Sequence, residues 1–187
     1  MCGRYALHDT SKSRLNLPSN LVPNFNICPS TKVLIINDQK RPVFIEWNIR
    51  APWSRTLRII NARSETIDKK KAFQNLHRCV FVANGYYEWK CVQNKKIPYY
   101  HTFEDSMMYF AGLMNSDGAC IVTRPSYPQI AEVHSRQPVI LNYNTFDNWF
   151  KKTHNYESEN SEKMKIFKVS ITVNSPKYNS IKNLSPQ

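Results

Sequence analysis

Short runs of β-branched and aromatic residues, each broken by proline, glycine, asparagine or charge, constrain this chain more than any other feature. They include Lys32 to Ile36, Pro42 to Trp47, Leu57 to Asn61, Cys79 to Ala83, Tyr86 to Lys90, Pro98 to Phe103, Met108 to Leu113 and Ala119 to Thr123. Such lengths suit strands and are too short for helices that must bury a face. Pro138 to Leu141 is a further candidate. Phe167, Val169, Ile171 and Val173 alternate with Lys168, Ser170 and Thr172, which predicts a half-buried strand. Helical signals are sparse. Ser64 to Leu76 carries an apolar stripe of Ala72, Phe73 and Leu76, Tyr127 to His134 follows Pro125, and Thr145 to Lys152 follows Asn144, a good capping residue. Residues 151–163 are polar without periodicity and read as a surface loop. No βαβ alternation is visible, so a strand-rich α+β architecture is expected and a dinucleotide-binding fold is disfavoured.

Composition narrows the function classes. At 187 residues the chain can hold one domain, or two small ones. With 41% hydrophobic residues it is not a disordered polymer, and its longest apolar runs fall far below the roughly 20 residues of a membrane span. Polar residues follow Met1-Cys2-Gly3-Arg4-Tyr5 where a secretory signal would be apolar, so an intracellular location is expected and no membrane partner. Five cysteines, an odd number, are then expected as free thiols. No CxxC or HxxxH pair occurs and Cys79 to Cys91 is a poor ligand spacing, so neither a metal nor another cofactor is expected. The 26 Lys and Arg against 14 Asp and Glu give a net charge of +12, which favours a polyanionic partner, nucleic acid first.

Candidate chemistry starts at Cys2. Removal of Met1 would put a thiol and an α-amine on one carbon. The amine's reference pKa of roughly 7.7–8.0 leaves far more of it neutral at pH 7 than a lysine amine. Such an amine attacks an aldehyde to give a Schiff base, and the neighbouring thiol can close on the imine carbon as a five-membered thiazolidine. Against this, a cysteine at position 2 can simply be an early, frayed residue. Asn61-Ala62-Arg63-Ser64-Glu65-Thr66 puts Asn61 and Arg63 on one face if it follows a strand, offering an amide and a guanidinium to a phosphate or sugar; it reads equally as a helix start. Gly85-Tyr86-Tyr87-Glu88-Trp89-Lys90 sets a carboxylate among aromatics. Buried, Glu88 would need a partner or a raised pKa, as a general acid or base does; on a solvent-facing strand it would need neither. His134-Ser135-Arg136-Gln137-Pro138 places a His and an Arg ahead of an apolar strand.

The order of these pieces is more specific than any one of them. Cys2-Gly3-Arg4-Tyr5, Phe25-Asn26-Ile27-Cys28-Pro29, Trp47 and Trp53, Asn61 to Thr66, Gly85 to Lys90, and His-x-Arg-x-Pro-Val-Ile-Leu from His134 together resemble the SRAP (SOS-response-associated peptidase) family, from Cys2 to about Pro176. The resemblance implies a single domain over 2–187, its mixed or antiparallel sheet curled into a barrel-like core with a few short helices. It implies a monomer with a basic groove for single-stranded DNA that captures abasic sites covalently through Cys2, as a Schiff base and then a thiazolidine, shielding the lesion. Carried over to this chain, Asn61 would position the Cys2 amine or the opened sugar, Glu88 would act as acid and base, and His134 would assist proton transfer to the sugar oxygen. Arg4, Arg63 and Arg136 would contact phosphates, Trp89 would stack on or wedge between bases, and Trp53 would belong to the DNA-binding surface. Asn84 stands where the family carries Asp, Gln137 where it carries Met, and Trp47 to Trp53 lacks a glycine and shifts a proline.

Two other readings remain open from sequence. Cys2 could serve a thiol peptidase or amidohydrolase, with His134 or Glu88 as base and Asn61 at an oxyanion. The chain could also be a non-catalytic module for single-stranded nucleic acid, with Cys2 incidental.

Overall fold

A computed structural model describes residues 2–158 and 163–187. In chain order the strands begin with β1 (Tyr5–Leu7), β2 (Asn24–Ile27), β3 (Lys32–Ile36), β4 (Pro42–Glu46), β5 (Ile49–Arg50), β6 (Arg58–Ile59) and β7 (Asn61–Arg63). The long central strands follow: β8 (His77–Ala83), β9 (Gly85–Val92), β10 (Lys95–Thr102), β11 (Met108–Met114) and β12 (Ala119–Pro125). After them come α1 (Pro128–Ala131), β13 (Arg136–Pro138), β14 (Ile140–Leu141), α2 (Phe146–Phe150) and β15 (Lys165–Lys168). One sheet runs β15-β10-β9-β1-β2 and a second runs β13-β12-β11-β8-β3-β4, with β14 on β11 and β7 parallel to β12. All other pairings are antiparallel. The strand-rich α+β expectation holds; no pairing among the described residues closes either sheet into a ring. No helix among them is long and apolar enough to cross a membrane.

The two sheets meet over one aromatic core. Tyr5 on β1 packs edge-on against Trp47, Phe81 and Phe110, with ring centroids at 5.2, 6.4 and 6.0 Å. Each such pair contributes roughly 0.5–1.5 kcal/mol beyond its buried area. These contacts lock a strand of only three residues, which its own ladder could not hold. Gly85 is required by proximity rather than by a positive φ: a Cβ there would lie 2.4 Å from the His101 carbonyl oxygen and 2.5 Å from the Tyr100 ring. The hairpin between β9 and β10 turns on Gln93 and Asn94, both at positive φ (47° and 62°), the geometry that matches strand twist.

Several local expectations are corrected. Residues 64–76 form turns and a 3₁₀ turn at Lys71–Phe73. The apolar stripe is still buried, so burial and not helix periodicity explains it. The other two helices are shorter than expected, at Pro128–Ala131 and Phe146–Phe150. The alternating segment near the end is a strand only over Lys165–Lys168. Beyond it the Ser170 side chain accepts the Thr172 N–H and starts a 3₁₀ turn at Ile171–Asn174. Val169 and Val173 are then buried while Ile171 is 67% exposed, which strict alternation does not allow. Of the polar segment 151–163, residues 153–158 have no regular structure and 159–162 lie outside the described residues.

Candidate active site

The site forms where β1, β7, β9 and the approach to β13 converge. Tyr5 pairs with Tyr86, and the ladder continues as the Tyr87 N–H donates to the Arg4 carbonyl at 2.9 Å. This carries the N-terminal residues along β9 toward Glu88, and Cys2 is fully buried. The start of β7 is fixed independently. The buried Trp47 indole N–H donates to the Ile60 carbonyl at 3.0 Å, which also accepts the Ile121 N–H. Asn61 is thereby presented to the N-terminus, and its side-chain N–H donates to the Cys2 carbonyl at 2.9 Å. The Asn61 side-chain oxygen is buried with no hydrogen-bond partner among the described residues, so it can accept from a donor brought into the site.

Glu88 is 2% exposed. Burial raises its carboxyl pKa above the usual range, while His134 pulls in the opposite direction. His134 Nδ1 lies 4.0 Å from Glu88 Oε1 and accepts the Arg136 N–H at 3.0 Å. Glu88 thus takes the buried, shifted alternative and not the solvent-facing one. Burial also drives the Cys2 thiol pKa far upward, with the Glu88 charge adding to the effect. The thiol is therefore held as SH. Behind them lies a dry wall: Tyr86 stacks on the fully buried His101 at 4.4 Å, and burial lowers that imidazole to about 3.

The proposed DNA-contacting residues divide by direction. Arg63 is exposed at the end of β7, with no side-chain partner among the described residues. Arg136 sits across β12, its Nη2 donating to the Thr123 carbonyl at 2.7 Å. Its fork also grips the Glu65 carboxylate, through Nη1 to Oε1 and through Nη2 to Oε2 at 3.0 Å. Arg4 turns inward: Nη1 donates to Asn26 Oδ1 and to the Val173 carbonyl, both at 2.7 Å. Trp89 lies on the face of β9 opposite Glu88, against a separate cluster with Tyr87 and Val173. Its indole N–H donates to Asn174 Oδ1 at 2.7 Å. Trp53 is 66% exposed beside Arg50 and Arg55, in an open cleft of about 480 Å³ between the loop that follows β5 and Asn115 and Asp117 of the β11–β12 connection.

The sequence reading thus names the residues that converge, Cys2, Asn61, Glu88, His134 and Arg136, but misses what holds them. Trp47 was visible only as a motif member. The Glu65 grip on Arg136 and the Asn26–Val173 anchor for Arg4 carry no local signal, since partners lie 71 and 169 residues away. Asn84, where the family carries Asp, accepts the His8 and Asp9 N–H groups and donates to the Asp9 carbonyl. It ties the exit of β1 to the β8–β9 bend.

A buried cysteine near the chain start, held by an asparagine amide and flanked by a buried Glu–His pair, on two sheets sharing an aromatic core, defines an SRAP-type domain. The chain belongs to that family: residues 1–176 match the model described as SOS response associated peptidase (SRAP). It is 29% identical to the abasic site processing protein YoaM of Bacillus subtilis, covering 100% of this chain and 99% of YoaM. It is 31% identical to YoqW of the same organism, over 96% and 97%. YedK of Escherichia coli is 27% identical, over 81% and 80%. Among solved structures, a protein from Bacteroides thetaiotaomicron superposes with a TM-score of 0.81 at 19% identity over 100% of both chains. A phage-related protein of Bordetella bronchiseptica gives 0.74 at 23% identity, over 90% and 94%.

Proposed function

We propose that this protein binds single-stranded DNA and captures abasic sites covalently through Cys2, once removal of Met1 frees the Cys2 amine. The observation that carries the reading is the convergence of Asn61, Glu88 and His134 on a buried Cys2. The relatives named as abasic site processing proteins, matched over nearly their whole lengths, give it a substrate class.

The arrangement of these groups supports the following order of steps. Burial keeps the thiol protonated, which favours the α-amine as the first nucleophile. It attacks the aldehyde carbon of the ring-opened sugar to give a carbinolamine. Glu88, carrying its proton to higher pH than an exposed carboxyl, donates it to the departing hydroxyl. Water leaves and the C=N bond of the Schiff base forms. The thiol sulfur then adds to that carbon as its proton passes to the imine nitrogen, closing the thiazolidine with no oxidant or cofactor. His134, 4.0 Å from Glu88, relays protons to the sugar oxygen during ring opening. Asn61 fixes the Cys2 backbone so that amine and thiol face the same carbon. Arg63 and Arg136 engage phosphates, Trp53 supplies an exposed ring for stacking, and the domain acts as a monomer over 2–187. Arg4 enters this reading as the anchor of the reactive strand.

A thiol peptidase is less well supported, because its nucleophile is a thiolate and the surroundings of Cys2 oppose one. The deciding experiment mixes the protein, with Met1 loss verified by mass spectrometry, with a single-stranded oligonucleotide carrying one abasic site. A shifted band that survives SDS and heat, and that an intact oligonucleotide does not give, is the expected result. Absence of the band with a free Cys2 amine would overturn the reading.

A further inference from the structure

The surface that should receive phosphate is already occupied by a carboxylate from the chain itself. Arg136 has a 13% exposed side chain, and its contacts leave little to spare. Nη2 is engaged by the Thr123 carbonyl and hydroxyl at 2.7 and 3.2 Å. Nε is buried without a partner, and the two-pronged edge formed by Nη1 and Nη2 faces the Glu65 carboxylate. Glu65 is far more open, 45% exposed, and the Ser64 hydroxyl donates to its Oε2 at 3.0 Å. A paired arginine edge of this kind takes carboxylate and phosphate in the same planar arrangement. Arg63, two residues before Glu65, is an exposed cation without such a neighbour.

We infer that Glu65 is a built-in phosphate surrogate: it fills the Arg136 fork in the free protein and is displaced by a DNA phosphate, so that Arg136 engages only a strand already held elsewhere. The inference rests on the phosphate-binding role proposed above for Arg136. Glu65 keeps its charge throughout the physiological range, because Arg136 holds its carboxyl down to about 2. The exchange is therefore driven by competition between anions and not by protonation. Its consequence is selectivity. A lone phosphate or short nucleotide must displace Glu65 unaided, whereas a strand bound by Arg63 presents its next phosphate at high local concentration. Weak capture of scattered anions is the functional gain.

The test compares Glu65→Gln, Arg136→Gln and the double variant by fluorescence anisotropy with an intact single-stranded oligonucleotide over a salt series. A thermal melt of each variant verifies folding. Glu65→Gln should bind roughly two- to fivefold more tightly at low salt, the range for release of one exposed ion pair. Its salt slope should stay close to that of the unaltered protein, because Arg136 meets one phosphate in both complexes. In the double variant the gain should vanish, giving a positive coupling in the cycle. If Glu65→Gln binds equally or more weakly while Arg136→Gln also weakens binding, Glu65 merely positions Arg136 and the inference falls alone. If Arg136→Gln leaves DNA binding unchanged, the phosphate role falls and takes the inference with it.

Discussion

The Asn61 side chain donates a hydrogen bond to the Cys2 carbonyl at 2.9 Å across 59 residues of sequence. A strand-end amide thereby ties the Cys2 backbone to β7, a contact that no local turn could make. The Trp47 indole, bonded to the carbonyl just before Asn61, makes that position rigid.

Asn61→Ala should therefore act on both stability and rate. Loss of one net hydrogen bond costs about 1 kcal/mol, seen as a modest fall in melting temperature. Crosslink formation should slow well beyond that, because a misplaced amine loses the benefit of a fixed geometry. Rapid-quench crosslinking at saturating DNA is the measurement. An unchanged rate would remove Asn61 from the positioning role.

Cys2→Ala should abolish the denaturation-resistant adduct while leaving anisotropy-measured binding of intact DNA nearly unchanged. The cationic residues are untouched, and deleting one buried sulfur leaves only a small cavity. Acetylation of the Cys2 amine should abolish the adduct equally. A stable adduct from the acetylated protein would point to the thiol as first nucleophile.

Glu88→Gln tests both catalysis and pH dependence. The folded state holds the Glu88 proton to higher pH than the unfolded chain does. Its contribution to stability is thus full below the unfolded carboxylate pKa and lost as pH rises through the raised folded value. The variant should lose that decline and be relatively more stable at neutral pH in denaturant titrations. Its crosslinking should slow by roughly 10²-fold or more, the usual worth of a general acid.

Arg63→Ala should weaken binding of all intact single strands alike and reduce the salt slope by about 0.7. A loss confined to one base context would contradict a phosphate contact.

Gly85→Ala should destabilise by roughly 1–3 kcal/mol or more, since the new methyl would meet the His101 carbonyl at 2.4 Å. Chemical denaturation measures it, and a neutral result would mean that β9 and β10 can separate without loss.

How much of this was legible in the sequence depends on the range of the cause. The long strands β8, β9, β10, β11 and β12 were readable, because β-branched and aromatic runs report burial on a pleated surface directly. The ends of the chain were not. Val169, Ile171 and Val173 alternate like a strand, yet Ser170 offers its hydroxyl to the Thr172 N–H and the backbone turns, a local competition that periodicity ignores. Cys2, Asn61, Glu88 and His134 could be named from chemistry and order. Their convergence depends on Tyr5 entering the core of the second sheet, a packing event with no signature in neighbouring residues. Arg4 and Trp89 are expected at DNA through the family resemblance alone, which says nothing of the partners each side chain takes in this chain. Those partners are distant in sequence: Asn26 and the Val173 carbonyl accept from Arg4, and Asn174 accepts from the Trp89 indole.

The bond from Arg4 to the Val173 carbonyl joins residues 169 positions apart in the order of synthesis. Ribosomes add roughly 5–20 residues per second, so Arg4 is made on the order of ten seconds or more before that acceptor exists. Until the segment carrying Val173 docks, nothing anchors the Arg4 side chain at that carbonyl. The anchoring of the N-terminal segment is thus among the later events in the assembly of the fold.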